Sequence, residues 1–428
     1  MRKTRRLFFT TFEPTMIPFN SFTLDNGLQV YVHEDPTVQI AVMNLLYDVG
    51  SRDERPDKTG FAHLFEHLMF GGSVNIPNYD QPLQLVGGEN NAFTSNDITN
   101  YYLTLPASNL ETGFWLESDR MLSLAFDTKS LEVQRKVVIE EFKQRYLNQP
   151  YGDVWLKLRP LAYQVHPYRW ATIGKEISHI ENATLEDVRE FFFTHYIPNN
   201  AILVVAGNVK TSEVKALSEK WFGPIPPGAK IERKLPAEPR QQEKRVLSTS
   251  SDVPANALYK TYHMPGRFDA DYYAGDLLND VLSRGQSSRL YQRLVKEKEI
   301  FNTISSYVTG TIDPGLLVVS GRLKDEITME IAEAEVNAVL QEVVLNGITE
   351  EELEKVKNQA EATLEFGEVD VMNRAMNLAF AALSGDANLV NTESEKIRKV
   401  TREDIQRIAA LILDENNASV LYYNVAAS

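Results

Sequence analysis

Residues 180–205 read IENATLEDVREFFFTHYIPNNAILVV, and residues 397–422 read IRKVTREDIQRIAALILDENNASVLY. At an offset of 217 (397 − 180), Ile180, Thr184, Glu186, Asp187, Asn199, Asn200 and Ala201 fall on Ile397, Thr401, Glu403, Asp404, Asn416, Asn417 and Ala418, and Val188 falls on Ile405. In each copy a threonine precedes an amphipathic run, as a helix N-cap does, because its hydroxyl can accept from the unpaired N–H groups of the first turn. An Asn-Asn-Ala turn follows, then a β-branched or aromatic stretch that reads as a strand. Seven identities at one register are more than chance supplies. The offset is close to half of the 428 residues, so the chain is expected to hold two homologous domains from an internal duplication.

The seam is expected at 224–246, PIPPGAKIERKLPAEPRQQEKRV, whose prolines and charges read as a linker. This leaves an N-terminal extension over 1–17, a first domain over 18–223 and a second over 247–428. Strand-like runs at 20–34, 39–49 and 100–106 are mixed with helical ones. The expected class is therefore α+β, each domain a mostly antiparallel sheet packed with helices, and not a parallel βαβ sheet.

Composition removes several classes of function. There are no cysteines, so a disulfide or a thiol nucleophile is excluded, and any metal must be held by His, Asp or Glu. A formal charge of −15 argues against nucleic acid, whose affinity rests on Lys/Arg contacts to phosphate, and mildly favours basic partners. No apolar run is long enough to span a membrane, and no membrane partner is expected. The start MRKTRRLFFTTFEP is basic, but its apolar piece is too short for a secretory core. It reads as a frayed terminus of a cytoplasmic protein.

Residues 61–72, FAHLFEHLMFGG, predict a helix from about Thr59 to Phe70. Phe61, Leu64, Phe65 and Leu68 form one apolar stripe at i, i+3, i+4 and i+7, and Gly71 and Gly72 supply the stop. His63 and His67 stand four apart, opposite the stripe, so their rings share one face and can converge on one metal. Glu66 stands beside the second histidine and can reach a water at that metal without capping it. The same letters also suit a solvated helix face. A catalytic zinc needs a third protein ligand. A second helix over 129–148, KSLEVQRKVVIEEFKQRYLN flanked by Thr128, offers Glu140 and Glu141. Glu141 follows Val137 and Val138 and lies nearer the buried side, but periodicity leaves both glutamates open.

These residues resemble the pitrilysin family of inverzincin zinc metallopeptidases, which includes the zinc-bearing subunit of mitochondrial processing peptidase and short bacterial zinc proteases. GSRDERPDKTGFAHLFEHLMFGG resembles the family's first block, with its H-x-x-E-H. GGENNAFTSNDITNYYLTLP resembles the second block, QRKVVIEEFKQR the third, and SSRLYQRL the block opening the second domain. The resemblance covers nearly the whole chain. It implies the fold of the mitochondrial processing peptidase type, one zinc ion per chain held by His63, His67 and Glu141, and Glu66 as general base. It further implies that Asn91, Ala92 and Phe93 lie on an edge strand to which a peptide adds; Phe93 reads equally as a core aromatic.

Two departures stand out. Gln134 occupies a place where relatives often carry a glutamate near the metal, so support of the ligands is expected to differ. Relatives also carry an Arg and a Tyr that clamp the peptide, and here Val295 and Asn302 align with them, with Tyr291 and Tyr307 near but out of register.

The expected function is a zinc endopeptidase for peptides or unfolded segments. The expected partner is a homologous chain that lacks the zinc motif and carries the Arg/Tyr clamp. A homodimer using other donors, such as Arg293 or Tyr307, is the alternative. The rival functions are a non-catalytic scaffold or peptide-binding subunit, and a zinc hydrolase of small molecules.

Overall fold

The computed structural model describes residues 16–426, so positions 1–15 of the expected extension lie outside the described residues. The chain forms two sheets. The first contains β1 (Asn20–Thr23), β2 (Gln29–Glu34), β3 (Ile40–Tyr47), β4 (Glu89–Thr94), β5 (Thr99–Pro106) and β6 (Ala201–Gly207), in the order β1-β2-β6-β3-β5-β4. The second contains β7 (Arg245–Ser251), β8 (Ala257–Met264), β9 (Phe301–Val308), β10 (Gly315–Leu323) and β11 (Ala418–Val425), in the order β7-β11-β8-β10-β9. Among the described residues, β2–β6 and β7–β11 pair in parallel and the other strand pairings are antiparallel. The α+β class is the observed one.

Seven of the helices are α1 (Phe61–Leu68), α2 (Thr128–Phe142), α3 (Val154–Ala162), α4 (Leu185–His195), α5 (Tyr272–Ser283), α6 (Val371–Leu383) and α7 (Arg402–Ile412). Of these, α1, α2 and α4 pack on the first sheet, α5 and α7 on the second, and α3 and α6 join the two halves. The duplicated threonines do what their sequence position suggests. Thr184 caps α4 and Thr401 caps α7, each in a reciprocal box with Asp187 or Asp404. The Asn-Asn-Ala turns lead into β6 and β11. The offset of 217 also relates the starts of β3 and β8 (257 − 40), β6 and β11 (418 − 201), and α3 and α6 (371 − 154).

One face of the first sheet receives α1, α2 and α4 through Phe61, Leu64, Phe65, Leu68, Val138, Val188 and Phe192, all buried against Val30, Met43, Leu45 and Tyr101. Its other face is covered from the second half of the chain. Val371, Ala375, Leu378, Ala379 and Ala382 of α6 pack on Val42, Leu46, Ile202, Val204 and Ala206. The reverse also holds. Val154 and Leu158 of α3 pack on Ala257, Leu421 and Tyr423 of the second sheet, and Ala162 and Tyr163 pack on Leu316 and Val318. Each sheet thus has one apolar face closed only by a helix lent from the other half. Polar contacts fix the exchange. Arg374 of α6 reaches His33 and Asp35, each at 2.8 Å, and Arg245 donates to the carbonyls of Leu161 and Ala162 at the end of α3.

Arg52 holds the junction between the halves. It is 3% exposed, and its guanidinium meets Asp48 (3.3 Å) and Asp97 (3.1 Å) of the first half and Asp313 (3.0 Å) of the second. Residues 226–244 carry no helix or strand. They are nonetheless tied down: Arg233 pairs with Asp48 and Asp53, Glu238 accepts from the backbone N–H groups of Gln164, Val165 and His166, and Gln241 donates to the Ala418 carbonyl.

Leu378 is fully buried in the lent helix. Leu378→Ala is expected to cost about 2–5 kcal/mol by removing buried methyl groups and leaving a cavity. Urea unfolding should show this as one shifted transition, with hydrogen exchange rising in both sheets together. Loosening confined to the second half would contradict the exchange of helices as the coupling element.

Candidate metal centre

Helix α1 is fixed at both ends. Gly60 precedes it with φ 88°, and a Cβ there would lie 2.7 Å from the Ile173 carbonyl oxygen, so glycine alone fits. The buried Glu54 carboxylate accepts from the backbone N–H groups of Gly60 and Ala62, both at 2.9 Å. It thereby satisfies orphan donors and sits at the positive end of the helix. At the other end the Gly71 N–H closes on the Leu68 carbonyl, and Gly72 turns the chain away at φ 98°. The helix runs over Phe61–Leu68, shorter at each end than the Thr59–Phe70 expected, because these glycines bracket it.

Phe61, Leu64, Phe65 and Leu68 all face the core, so His63 and His67 emerge together on the opposite side. Their side chains are 14% and 24% exposed, and their rings lie 4.8 Å apart, close to perpendicular. Helix α2 brings Glu141 to them. Its Oε2 lies 3.6 Å from His63 Nε2 and 3.3 Å from His67 Nε2. Two atoms bonded tetrahedrally to one zinc, each at about 2.0–2.2 Å, are separated by about 3.4 Å. Two imidazole nitrogens and one carboxylate oxygen at such spacing, within 4.8 Å of one another, fit a divalent metal. Burial lowers the His63 pKa to about 4, which keeps the ring in the neutral, lone-pair form a metal requires. The Glu141 pKa is lowered, first by its hydrogen bond with His67.

Glu140 is placed apart, 60% exposed and paired with Lys143 at 2.8 Å. Of the two glutamates, the structure brings Glu141 and not Glu140 to the histidines. One supporting detail is corrected: Val137 is 44% exposed, and the buried side of α2 is Leu131, Val138 and Phe142. The helix expected over 129–148 is α-helical only to Phe142, and Lys143–Leu147 winds as one π-turn.

Glu66 stands outside the three metal-facing atoms. Its Oε2 accepts from Thr94 Oγ1 at 2.5 Å. Burial raises its pKa, and the Thr94 hydrogen bond opposes that rise. Thr94 ends β4, the outermost strand of the first sheet, which pairs with β5 on one side only. Ala92 and Thr94 face the helical layer, whereas Asn91 and Phe93 project the other way. Phe93 is 40% exposed, so the reading of it as a core aromatic is overturned: β4 is an edge strand and the ring stands partly open to solvent.

Three residues beside the site escaped sequence reasoning. Thr94 was available from strand alternation, two residues beyond Ala92 on the helix-facing side. Arg145, one turn beyond Glu141, holds its Oε1 at 2.8 Å and leaves Oε2 to the imidazoles; its i+4 spacing was a signal. Glu54 gave none, since its partners are backbone groups. Gln134 is half-buried on α2 and makes no hydrogen bond with the three metal-facing side chains. The residues aligned with the expected clamp are used internally. Val295 packs partly against the second core, and Asn302 donates to the Leu323 carbonyl at 3.0 Å. Of the alternatives, Arg293 pairs with Glu297, Tyr307 lies against Trp155, and Tyr291 is half-buried.

Comparison with known proteins finds two family matches along the chain. Residues 29–169, which contain His63, Glu66, His67 and Glu141, match the family described as insulinase, peptidase family M16. Residues 182–360 match the family described as the peptidase M16 inactive domain. The zinc protease PqqE of Helicobacter pylori is 32% identical over 345 residues, covering 79% of this chain and 77% of that protein. The probable mitochondrial-processing peptidase subunit beta of Schizosaccharomyces pombe is 26% identical over 432 residues, covering 96% and 92%. Among solved structures, a protease from Helicobacter pylori superposes with a TM-score of 0.90 at 28% identity, over 96% of this chain and 100% of the other. The periplasmic protease PqqL of Escherichia coli superposes with a TM-score of 0.78 at 20% identity, over 96% of this chain but 48% of its own.

Glu141→Gln is expected to weaken zinc binding at least about tenfold, because the amide carries no charge to meet the cation, while Glu140→Gln leaves it unchanged. Equilibrium dialysis with atomic emission measures both. The reverse ranking would move the third ligand to Glu140.

Proposed function

The chain belongs to the insulinase family of peptidases, family M16, and on that footing we propose that it is a zinc endopeptidase that cuts peptides or unfolded segments laid along β4. The observation that carries this reading is the meeting of His63, His67 and Glu141 beside a free strand edge, with Glu66 held between them by Thr94. The relatives' description as zinc proteases supports zinc as the metal.

His63 Nε2, His67 Nε2 and Glu141 Oε2 would hold the ion. Zinc bound there supplies a Lewis acid that polarises a carbonyl and acidifies a water. The chain's own groups do the rest. The unpaired N–H and C=O groups of β4 take the substrate as an added strand, so recognition falls on the main chain and tolerates many sequences. A segment must be extended and free along its backbone to add there, which favours peptides and unfolded segments over folded domains. Glu66 Oε2 is occupied by the Thr94 hydroxyl, which leaves Oε1 to accept the proton of the attacking water and later pass it to the leaving amine. Partial burial favours the protonated carboxyl at the moment it must hold that proton.

A non-catalytic, peptidase-like scaffold is the second reading, prompted by the match of residues 182–360 to an inactive domain. That match begins at residue 182, after His63, Glu66, His67 and Glu141, and includes none of them. A small-molecule hydrolase would have no use for the open edge of β4.

We further propose that this chain is one half of a two-chain enzyme. It spans 48% of PqqL, so the longer protein holds room for two such units in one chain. A peptide pinned along one edge can tilt, and positioning governs rate. Val295 has no donor to offer and the Asn302 amide is already spent, so a homologous partner carrying Arg and Tyr is the candidate to complete the cleft. A homodimer drawing on Arg293 or Tyr307 is the alternative.

Glu66→Gln is expected to keep its zinc and lose about 10²–10⁴-fold in turnover of an unstructured peptide. Substantial turnover by the zinc-loaded variant would remove Glu66 from the mechanism. The lone zinc-loaded chain is expected to cut slowly and to be accelerated by a homologous chain lacking H-x-x-E-H. Full activity alone, unchanged by any such chain, would discard the two-chain proposal.

A further inference from the structure

Behind β4, between the two halves of the chain, lies an open cleft of about 610 Å³. It is lined by Phe93 and the end of β4, by Thr309 and Thr311 of a turn in the second half, and by Arg159 of α3. A peptide added to β4 alternates its side chains between the two faces of the sheet. Those pointing the same way as Phe93 must enter this cleft.

Three charged residues among those lining the cleft differ in how they are satisfied. Asp97 accepts from Arg52, Tyr168 and the Ile312 N–H. Arg267 is paired with Glu393 and with the Tyr273 hydroxyl. Arg159 has no carboxylate within ion-pair distance among the described residues. Its Nη1 donates to the Tyr168 carbonyl at 3.1 Å, its guanidinium lies 5.0 Å over the Trp155 ring, and its Nε is buried without a partner. Burial lowers its pKa, the mark of a cation removed from water with little compensation. A guanidinium without a carboxylate partner, in a cleft whose other charges are paired, is what a bound anion would complete.

We infer that this cleft is a specificity subsite of the proposed peptidase, in which Arg159 receives the carboxylate of one substrate residue whose chain lies against Phe93. The inference rests on the reading of β4 as the peptide-binding edge. A glutamate suits it: the methylenes cover the aromatic wall and the carboxylate reaches the guanidinium. The preference is confined to one position, since the net charge of −15 repels peptides that are acidic throughout. A free C-terminal carboxylate offers the same chemistry, and the test separates the two.

The test uses full-length protein with its zinc and unstructured peptides, amidated or free at the C-terminus, in which Glu replaces Gln at one position at a time. Cleavage by the wild type is read as kcat/KM, and binding to the non-turning-over Glu66→Gln protein by fluorescence anisotropy. At one position Glu should be favoured over Gln at least about tenfold in amidated peptides. In Arg159→Gln the Glu/Gln ratio should fall below about twofold, and Arg159→Lys should restore part of it, with thermal unfolding confirming that both variants fold. A Glu/Gln ratio near one at every position, or one that survives Arg159→Gln, overturns the subsite. A preference seen only with free C-termini overturns the side-chain assignment. Glu-selective, Arg159-dependent binding without cleavage by the wild type would support the subsite and sink the peptidase reading alone.

Discussion

Each sheet of this protein has an apolar face that its own half of the chain does not cover. The first sheet depends on Leu378 and its neighbours in α6, and the second depends on Leu158 and its neighbours in α3. Exposing either face would uncover a contiguous apolar surface of the kind folded monomers avoid. The two halves are therefore one folding problem, although the chain passes between them only once, over 226–244. The exchange also sets the site. Because α3 leaves the first half to lie on the second sheet, it carries Arg159 into the cleft behind β4, and Arg52 locks the two walls with Asp97 and Asp313.

The duplication preserved architecture and not chemistry. Helix α5 follows β8 as α1 follows β3, and it carries two aspartates, Asp276 and Asp280, at the same four-residue spacing as His63 and His67. Burial and the neighbouring Asp280 push Asp276 up to about 6. No second group of metal-competent side chains gathers around them among the described residues. Asp280 is already paired with Arg284 at 2.7 Å, whereas two neutral imidazoles beside a carboxylate attract a cation. The first half thus gathers a metal-competent set on its helix, and the second half does not among the described residues.

Much of this could be read from the residues. The Thr-capped helix, the Asn-Asn-Ala turn and the strand after it are local devices, and they appear in both halves where their spacing puts them. The stripe of Phe61, Leu64, Phe65 and Leu68 fixed the direction of His63 and His67 before any contact was known. What escaped was non-local. Periodicity marks α3 and α6 as amphipathic but does not say whose sheet they cover. Val137 looked like a buried neighbour of Glu141 because the face of α2 was judged from one side only. Phe93 could not be assigned until β4 was seen to be an edge. Glu54 meets backbone donors, which leave no trace in side-chain pattern.

The proposed chemistry turns on one ion held by three side chains of one half. Diffraction from zinc-soaked crystals of the full chain, collected on either side of the zinc absorption edge, tests it most directly. The expected result is a single anomalous peak bonded to His63 Nε2, His67 Nε2 and an oxygen of Glu141, with Glu66 beside it but not bonded. A peak elsewhere, or ligation by Glu66 or Glu140 in place of Glu141, would contradict it.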